Sequence, residues 1–128
     1  MRTITRHILY WTSALCYTGF IFYMSSLSHP PVPQQWFNYD KITHTLEYTL
    51  LAILWSLVAN LYQHAKLSPN TIRKKFILIW LACCLYGASD EIHQSMVPER
   101  DCSAKDWIAD ITGSGLGCLW MYKRRKKL

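Results

Sequence analysis

A chain of 128 residues is one domain at most, and 51% hydrophobic with 14% aromatic is rich for so short a soluble protein. The formal net charge is +6, but the basic residues gather at the ends of apolar blocks, so no nucleic-acid partner is needed to explain them. Four such blocks alternate with short polar, proline-containing or basic segments, the pattern of a polytopic membrane protein and not of an amphipathic soluble bundle.

The first block, ILYWTSALCYTGFIFYMSSL over 8–27, holds no charged residue and is long enough to cross a hydrocarbon core as a helix. Its apolar stretch is too long for a typical signal peptide, and SSLSHP is a poor cleavage site, so an uncleaved span is expected. The second block runs over 42–62, the third over 76–97 and the fourth over 104–122, where Trp120 and Tyr122 beside KRRKK read as an interfacial belt. The expected fold class is therefore all-α, an integral membrane bundle of four transmembrane helices forming a single domain over 1–128.

Lysines and arginines set the expected orientation. Arg2, Arg6, Lys66, Arg73, Lys74, Lys75 and the five of the tail make eleven on one side, against Lys41, Arg100 and Lys105 on the other. By the positive-inside rule both termini and the second loop are cytoplasmic, and the tail is expected to attract anionic lipid headgroups. All eight acids fall in or near the two outer loops, which leaves that side at minus five.

Residues three and four apart share a helix face. That aligns Asp40, His44 and Glu47 at the start of the second block, Asp90, His93, Gln94 and Val97 above Tyr86 on the third, and Asp106 and Asp110 above Gly113 and Gly117 on the fourth. Three polar stripes near the outer helix ends are expected to converge on one pocket. Counted from Phe76, Asp90 lies about 21 Å along its helix, still within the hydrocarbon zone, where a carboxylate costs at least ~2.5 kcal/mol unless a partner, water or a proton offsets it. Lys41, Arg100, His44 and His93 are the available partners. Such groups are either buried pairs that join the helices or the lining of a site open to the outer face, and intramembrane ionisable residues favour the second reading.

Single motifs carry less. His44, Glu47, Glu91 and His93 include metal-ligating types, but neither HExxH nor paired CxxC spacing is present, so no metal and no cofactor are expected. His7, His29 and His64 are assigned no role. Cys16, Cys83, Cys84 and Cys118 read as small apolar residues of the spans, and Cys102 stands alone in the outer loop, without a partner for a disulfide. The small residues of TGSGLG suit close helix packing, and no GKS or GKT follows them. Ser103 with Asp106 reads as a helix-capping pair, SxxD, so Asp106 has a structural reading beside the functional one.

Asp40 and Lys41 followed by His44 and Tyr48, then Asp90, Glu91, Gln94, Pro98, Arg100, Asp106 and a glycine-rich last block, resemble the VanZ-like family of small multi-span membrane proteins over about residues 40–117. The resemblance implies the fold class and a place in the bacterial inner membrane. The family takes its name from a protein associated with low-level resistance to the glycopeptide teicoplanin. Two positions depart from the family's pattern: Asp110 stands where Asn is common, and Thr45 where an aromatic often follows the histidine.

The function expected is binding or modification of a cell-envelope lipid, glycan or glycopeptide at the outer face. Asp90, Glu91, His93, Arg100 and Asp106 are the candidate catalytic set, and Asp40, Lys41, His44, Glu47, Tyr48, Gln94 and Asp110 line the binding site. An enzyme of this kind would use a carboxylate or His93 as general base while Arg100 grips an anionic group. The alternative is a small transporter or an assembly partner whose ion pairs only hold the helices together. Because the inner half of every block lacks acids, proton-coupled exchange is the weaker form of that alternative.

Overall fold

The computed structural model describes residues 2–28, 39–61 and 67–126. The end of the second block at Tyr62, the basic residues Lys66 and Lys127, and His29 and His64 lie outside these residues. The described chain is all-α: α1 (Arg2–Ser25), α2 (Tyr39–Leu61), α3 (Pro69–Gln94) and α4 (Ala104–Lys126). At 23 to 26 residues each, they are ~35–39 Å long. Two of them, over Asp40–Leu61 and Pro69–Gln94, are long and apolar enough to cross a membrane.

Local chemistry explains the helix ends. Ser68 caps α3 by accepting from the Thr71 N–H at 3.2 Å, and Pro69 follows at the first helical position, where its missing N–H costs nothing. The helix thus starts about two turns ahead of the apolar run at Phe76, the second of them carrying Arg73, Lys74 and Lys75. It stops at Gln94, short of Val97, because the residue before Pro98 is pushed out of helical conformation. Ser103 caps α4, its hydroxyl accepting from the Asp106 N–H at 3.3 Å.

Contacts between helices set their directions. Trp107 and Trp80 of α4 and α3 donate to Cys84 and Ile111 carbonyls, so these helices run antiparallel. α1 and α2 are again antiparallel, since Ile21 and Ser25 line one hollow with His44 and Glu47 while Arg6 and Tyr10 line another with Leu57 and Asn60. α2 and α4 are parallel and hold one register throughout: His44 meets Asp110, Thr49 meets Gly113 and Asn60 meets Arg125 at sequence separations of 66, 64 and 65. α2 touches all three other helices, whereas α1 rests on α2 and α3 only, among the described residues.

The distribution of side chains is inverted relative to a protein in water. Buried positions include Ser25, His44, Asp90, Glu91, Gln94, Asp106 and Asp110, while large apolar residues such as Phe22, Leu46, Leu85, Ile108 and Leu119 face outward on all four helices. An apolar core of Ile21, Tyr48, Leu51, Phe76, Cys83 and Met121 occupies the middle. The acidic residues gather at the end where Ser25, Asp40, Gln94 and Ala104 meet. At the opposite end Lys75 and Arg125 both donate to the Asn60 side-chain oxygen.

Candidate functional site

The site is anchored by close approach of α2 and α4. Gly113 and Gly117 face α2, and a Cβ on Gly113 would run into the Thr45 carbonyl oxygen, one on Gly117 would come to 2.5 Å of the Thr49 carbonyl. Only glycine lets the two backbones meet this way. The Thr49 hydroxyl donates to the Gly113 carbonyl at 2.9 Å and fixes the register. One turn outward, that register places His44 Nδ1 2.9 Å from Asp110 Oδ1. Another turn outward, the Lys41 ammonium pairs with Asp106 and, at 2.8 Å, with Asp40.

α3 adds Asp90, Glu91 and Gln94, all buried. Asp90 accepts from the Ser25 hydroxyl at 2.5 Å and from Gln94 Nε2 at 3.0 Å. Arg100 donates to Gln94 Oε1 at 2.7 Å, which brings the guanidinium back over the end of α3. The return is made by a four-residue turn in which the Arg100 N–H reaches the Val97 carbonyl at 3.2 Å, with Pro98 second and Glu99 third at φ 64°. A positive φ at the third position is what a type II turn demands, and proline presets the second. With the Val97 N–H on the Gln94 carbonyl at 3.0 Å, two successive turns span the six residues that fold the arginine onto its partner.

Glu91 takes the place expected of Asp106. A capping pair would send the Asp106 carboxylate back to the Ser103 N–H, but that N–H donates to Glu91 Oε2 at 2.7 Å, and Asp106 turns to Lys41 instead. The other oxygen, Glu91 Oε1, is buried with no hydrogen-bond partner among the described residues, as are Asp110 Oδ2 and the Tyr48 hydroxyl. Asp110 Oδ2 lies 3.0 Å from where a Cβ on Gly87 would stand, so the absent side chain at Gly87 admits this carboxylate to α3. Glu91 is one turn farther along the same helix face.

Not every expected residue joins this cluster. His93 turns toward α1, its ring stacked on Phe22 at 4.6 Å between centroids and its Nε2 3.0 Å from the Ser26 hydroxyl. The helical face that holds Asp90 and Gln94 therefore does not bring His93 to His44. The set His44, Glu47, Glu91 and His93 is not assembled. What comes together is His44, Glu91 and Asp110, whose ligand atoms lie within 4.8 Å of one another, and Asp40, His44 and Asp106, which meet the same limit.

Two hollows adjoin the cluster. A polar one of about 50 Å³ is lined by Ser25, Asp40, His44, Glu47, Asp90 and Arg100 among others. A larger apolar one of about 510 Å³ is lined by Trp11, Thr18, Leu51, Trp55, Ala82 and Tyr86 among others. The linings are one turn apart on each of three helices: Thr18 below Ile21, Leu51 below Glu47 and Tyr86 below Asp90. Where α1 meets α3 along this seam, the Tyr86 hydroxyl donates to the Thr18 carbonyl at 2.8 Å.

Sequence reasoning missed Ser25 and Gly87, and read Ser103 only as a helix cap, not as the donor to Glu91. Ser25 carries no signal in a hydroxyl-rich chain, whereas Gly87, three residues before Asp90, is a signal of close approach that could have been read.

No curated protein and no solved structure matches the chain. The family model described as VanZ/LLP1 matches residues 7–124, nearly the whole chain. With two helices apolar enough to span a membrane, the match marks a membrane protein, and the chain belongs to the VanZ/LLP1 family.

Proposed function

We propose that this protein binds an envelope lipid or lipid-linked glycan at the outer face of the bacterial inner membrane and holds its head group for modification. All four helices span the membrane in this reading, with both termini cytoplasmic. The outward apolar residues on every helix support it, since lipid requires the exterior that water penalises. A reporter fused after Leu128 is expected to be active in the cytoplasm and one inserted near Pro33 outside, and the reverse would overturn the orientation.

The observation that carries the binding reading is the stacking of a polar hollow on an apolar one along the same three helices. An acyl or isoprenoid chain fits the apolar hollow, whose volume is in the range of small-molecule pockets. A head group then sits one turn farther out, with Arg100 available to a phosphate and the Asp40 and Glu47 carboxylates available to hydroxyl or ammonium donors. Teicoplanin resistance needs a further step, contact between such a lipid and the glycopeptide, which nothing in the geometry requires.

Mass spectrometry of lipid that co-purifies with the protein tests this. Wild-type protein is expected to retain about one lipid, and Ala82→Trp, which fills the apolar hollow, is expected to fold and retain none. Lipid content unchanged by Ala82→Trp would overturn the reading. The competing reading, a clasp that only joins helices, is favoured by one observation: Lys41 and His44 each bridge α2 to an acid of α4. Arg100→Lys separates the two. A clasp tolerates it, whereas a phosphate grip loses the bidentate fork and the head-group preference with it.

A further inference from the structure

We propose that His44, Glu91 and Asp110 hold a divalent transition-metal ion where α2, α3 and α4 meet. Each of the three comes from a different helix and each is buried, at 8%, 3% and 0% exposure. Their ligand atoms lie within 4.8 Å of one another, a span that small side-chain rotations close around an ion about 2.1 Å from each. The 2.9 Å from His44 Nδ1 to Asp110 Oδ1 is the length of a hydrogen bond and equally the separation of two adjacent ligands on one octahedral ion, about 3 Å.

The second observation is independent of proximity. Among the described residues, Glu91 Oε1 and Asp110 Oδ2 are buried acceptors without a donor. A buried acceptor left unsatisfied is costly, and two on neighbouring acids more so. The rest of each side chain is already oriented: Ser103 N–H holds Glu91 Oε2, and the space at Gly87 seats the Asp110 carboxylate. Such outer contacts are what aim ligands at an ion.

Charge favours this trio over the other. In the set Asp40, His44 and Asp106 both carboxylates already bond the Lys41 ammonium, which would repel a second cation. No lysine or arginine makes an ion pair with Glu91 or Asp110 among the described residues; Asp110 has only His44. One imidazole and two carboxylates are a borderline donor set, suited to zinc or manganese; calcium takes six to eight oxygens. A water or a lipid phosphate would complete the coordination, and the ion would act there as a Lewis acid.

The test uses the full chain in detergent, without a histidine tag, stripped with chelator and then titrated with Zn²⁺, Mn²⁺ or Mg²⁺. Wild-type protein is expected to take up about one equivalent of Zn²⁺ or Mn²⁺, with a saturable rise in melting temperature, and to respond weakly to Mg²⁺. Glu91→Gln and Asp110→Asn keep shape, and are expected to bind at least a hundredfold more weakly. His93→Ala keeps the metal. Ala82→Trp, expected to lose lipid, keeps it too, so failure of the lipid reading and failure of this one are distinguishable. If the two amide variants fold poorly, the Mn²⁺-loaded wild type is examined by pulsed electron paramagnetic resonance, where coupling to the nitrogen of a coordinated imidazole is expected. Uptake below a tenth of an equivalent, an equal response in both amide variants, or Mn²⁺ bound without nitrogen coupling would each overturn the site.

Discussion

The seam between α2 and α4 and the seam between α1 and its neighbours are built on opposite plans. Along the first, backbone meets backbone at Gly113 and Gly117, and one register holds from His44 to Asn60. Along the second, each contact named among the described residues runs through at least one side chain: Ser25 to Asp90, Tyr86 to the Thr18 carbonyl, Trp55 to Thr18, and the edge of Trp11 against Trp55. The apolar hollow of about 510 Å³ opens on that side. A seam closed by backbone cannot part without losing its packing, whereas one bridged by a few long side chains can part by rotamer changes. His44, Asp106 and Asp110 sit on the rigid seam, Glu91 joins them from α3, and the apolar hollow sits on the yielding seam.

Gly113→Ala is expected to have the largest effect. The added methyl meets the Thr45 carbonyl, a backbone atom that cannot rotate away, so α2 and α4 must separate at a cost on the order of 3 kcal/mol. A lower melting temperature in detergent and lower abundance in the membrane check it. A melt unchanged from wild type would show that the seam is softer than its geometry implies.

Lys41→Met comes next. It leaves the buried Asp106 carboxylate without its cation, yet Lys41 is 35% exposed, so water offsets part of the loss and ~1–2 kcal/mol is expected. Adding Asp106→Asn should restore much of it. Recovery in the double variant marks a pair that only joins helices, and the absence of recovery shows that each group has a separate partner.

Much of this was legible in the sequence, and for identifiable reasons. Apolar block length gave four helices because each helix is a continuous run. The stripes on α2 and α4 survive intact, since Asp106, Asp110, Gly113 and Gly117 all turn toward α2 as their spacing requires. The α3 stripe was half legible. Its spacing put Asp90, His93 and Gln94 on one arc of the helix, but spacing cannot say which neighbour each end of the arc meets, and His93 lies at the edge that faces Phe22. Glu91 is the reverse case: it lies beside that arc and still faces the cluster, because α4 packs on α3 from the other side. A trio drawn from three helices leaves no local spacing, which is why no metal signature preceded it.

The yielding seam is probed by smaller changes. Tyr86→Phe removes the bond to the Thr18 carbonyl and is expected to cost about 1 kcal/mol while letting α1 part more readily, so lipid should exchange faster. Slower exchange would place the opening elsewhere.

Gly19→Ala should do least, and its smallness is informative. Gly19 lies on α1, and among the described residues a Cβ there meets nothing within 4 Å. It is a glycine inside a helix with no close approach to justify it, so alanine should relieve backbone freedom at no steric cost. The expectation is a melting temperature equal to wild type or raised by a gain of up to about 0.5 kcal/mol, read beside Gly113→Ala on the same instrument. The contrast isolates the seam, because the two substitutions add the same methyl to the same kind of helix and differ only in what that methyl meets. A clear loss of stability at Gly19 would mean that the outer face of α1 packs against something besides this chain's own helices, and the side on which the bundle yields would have to be sought elsewhere.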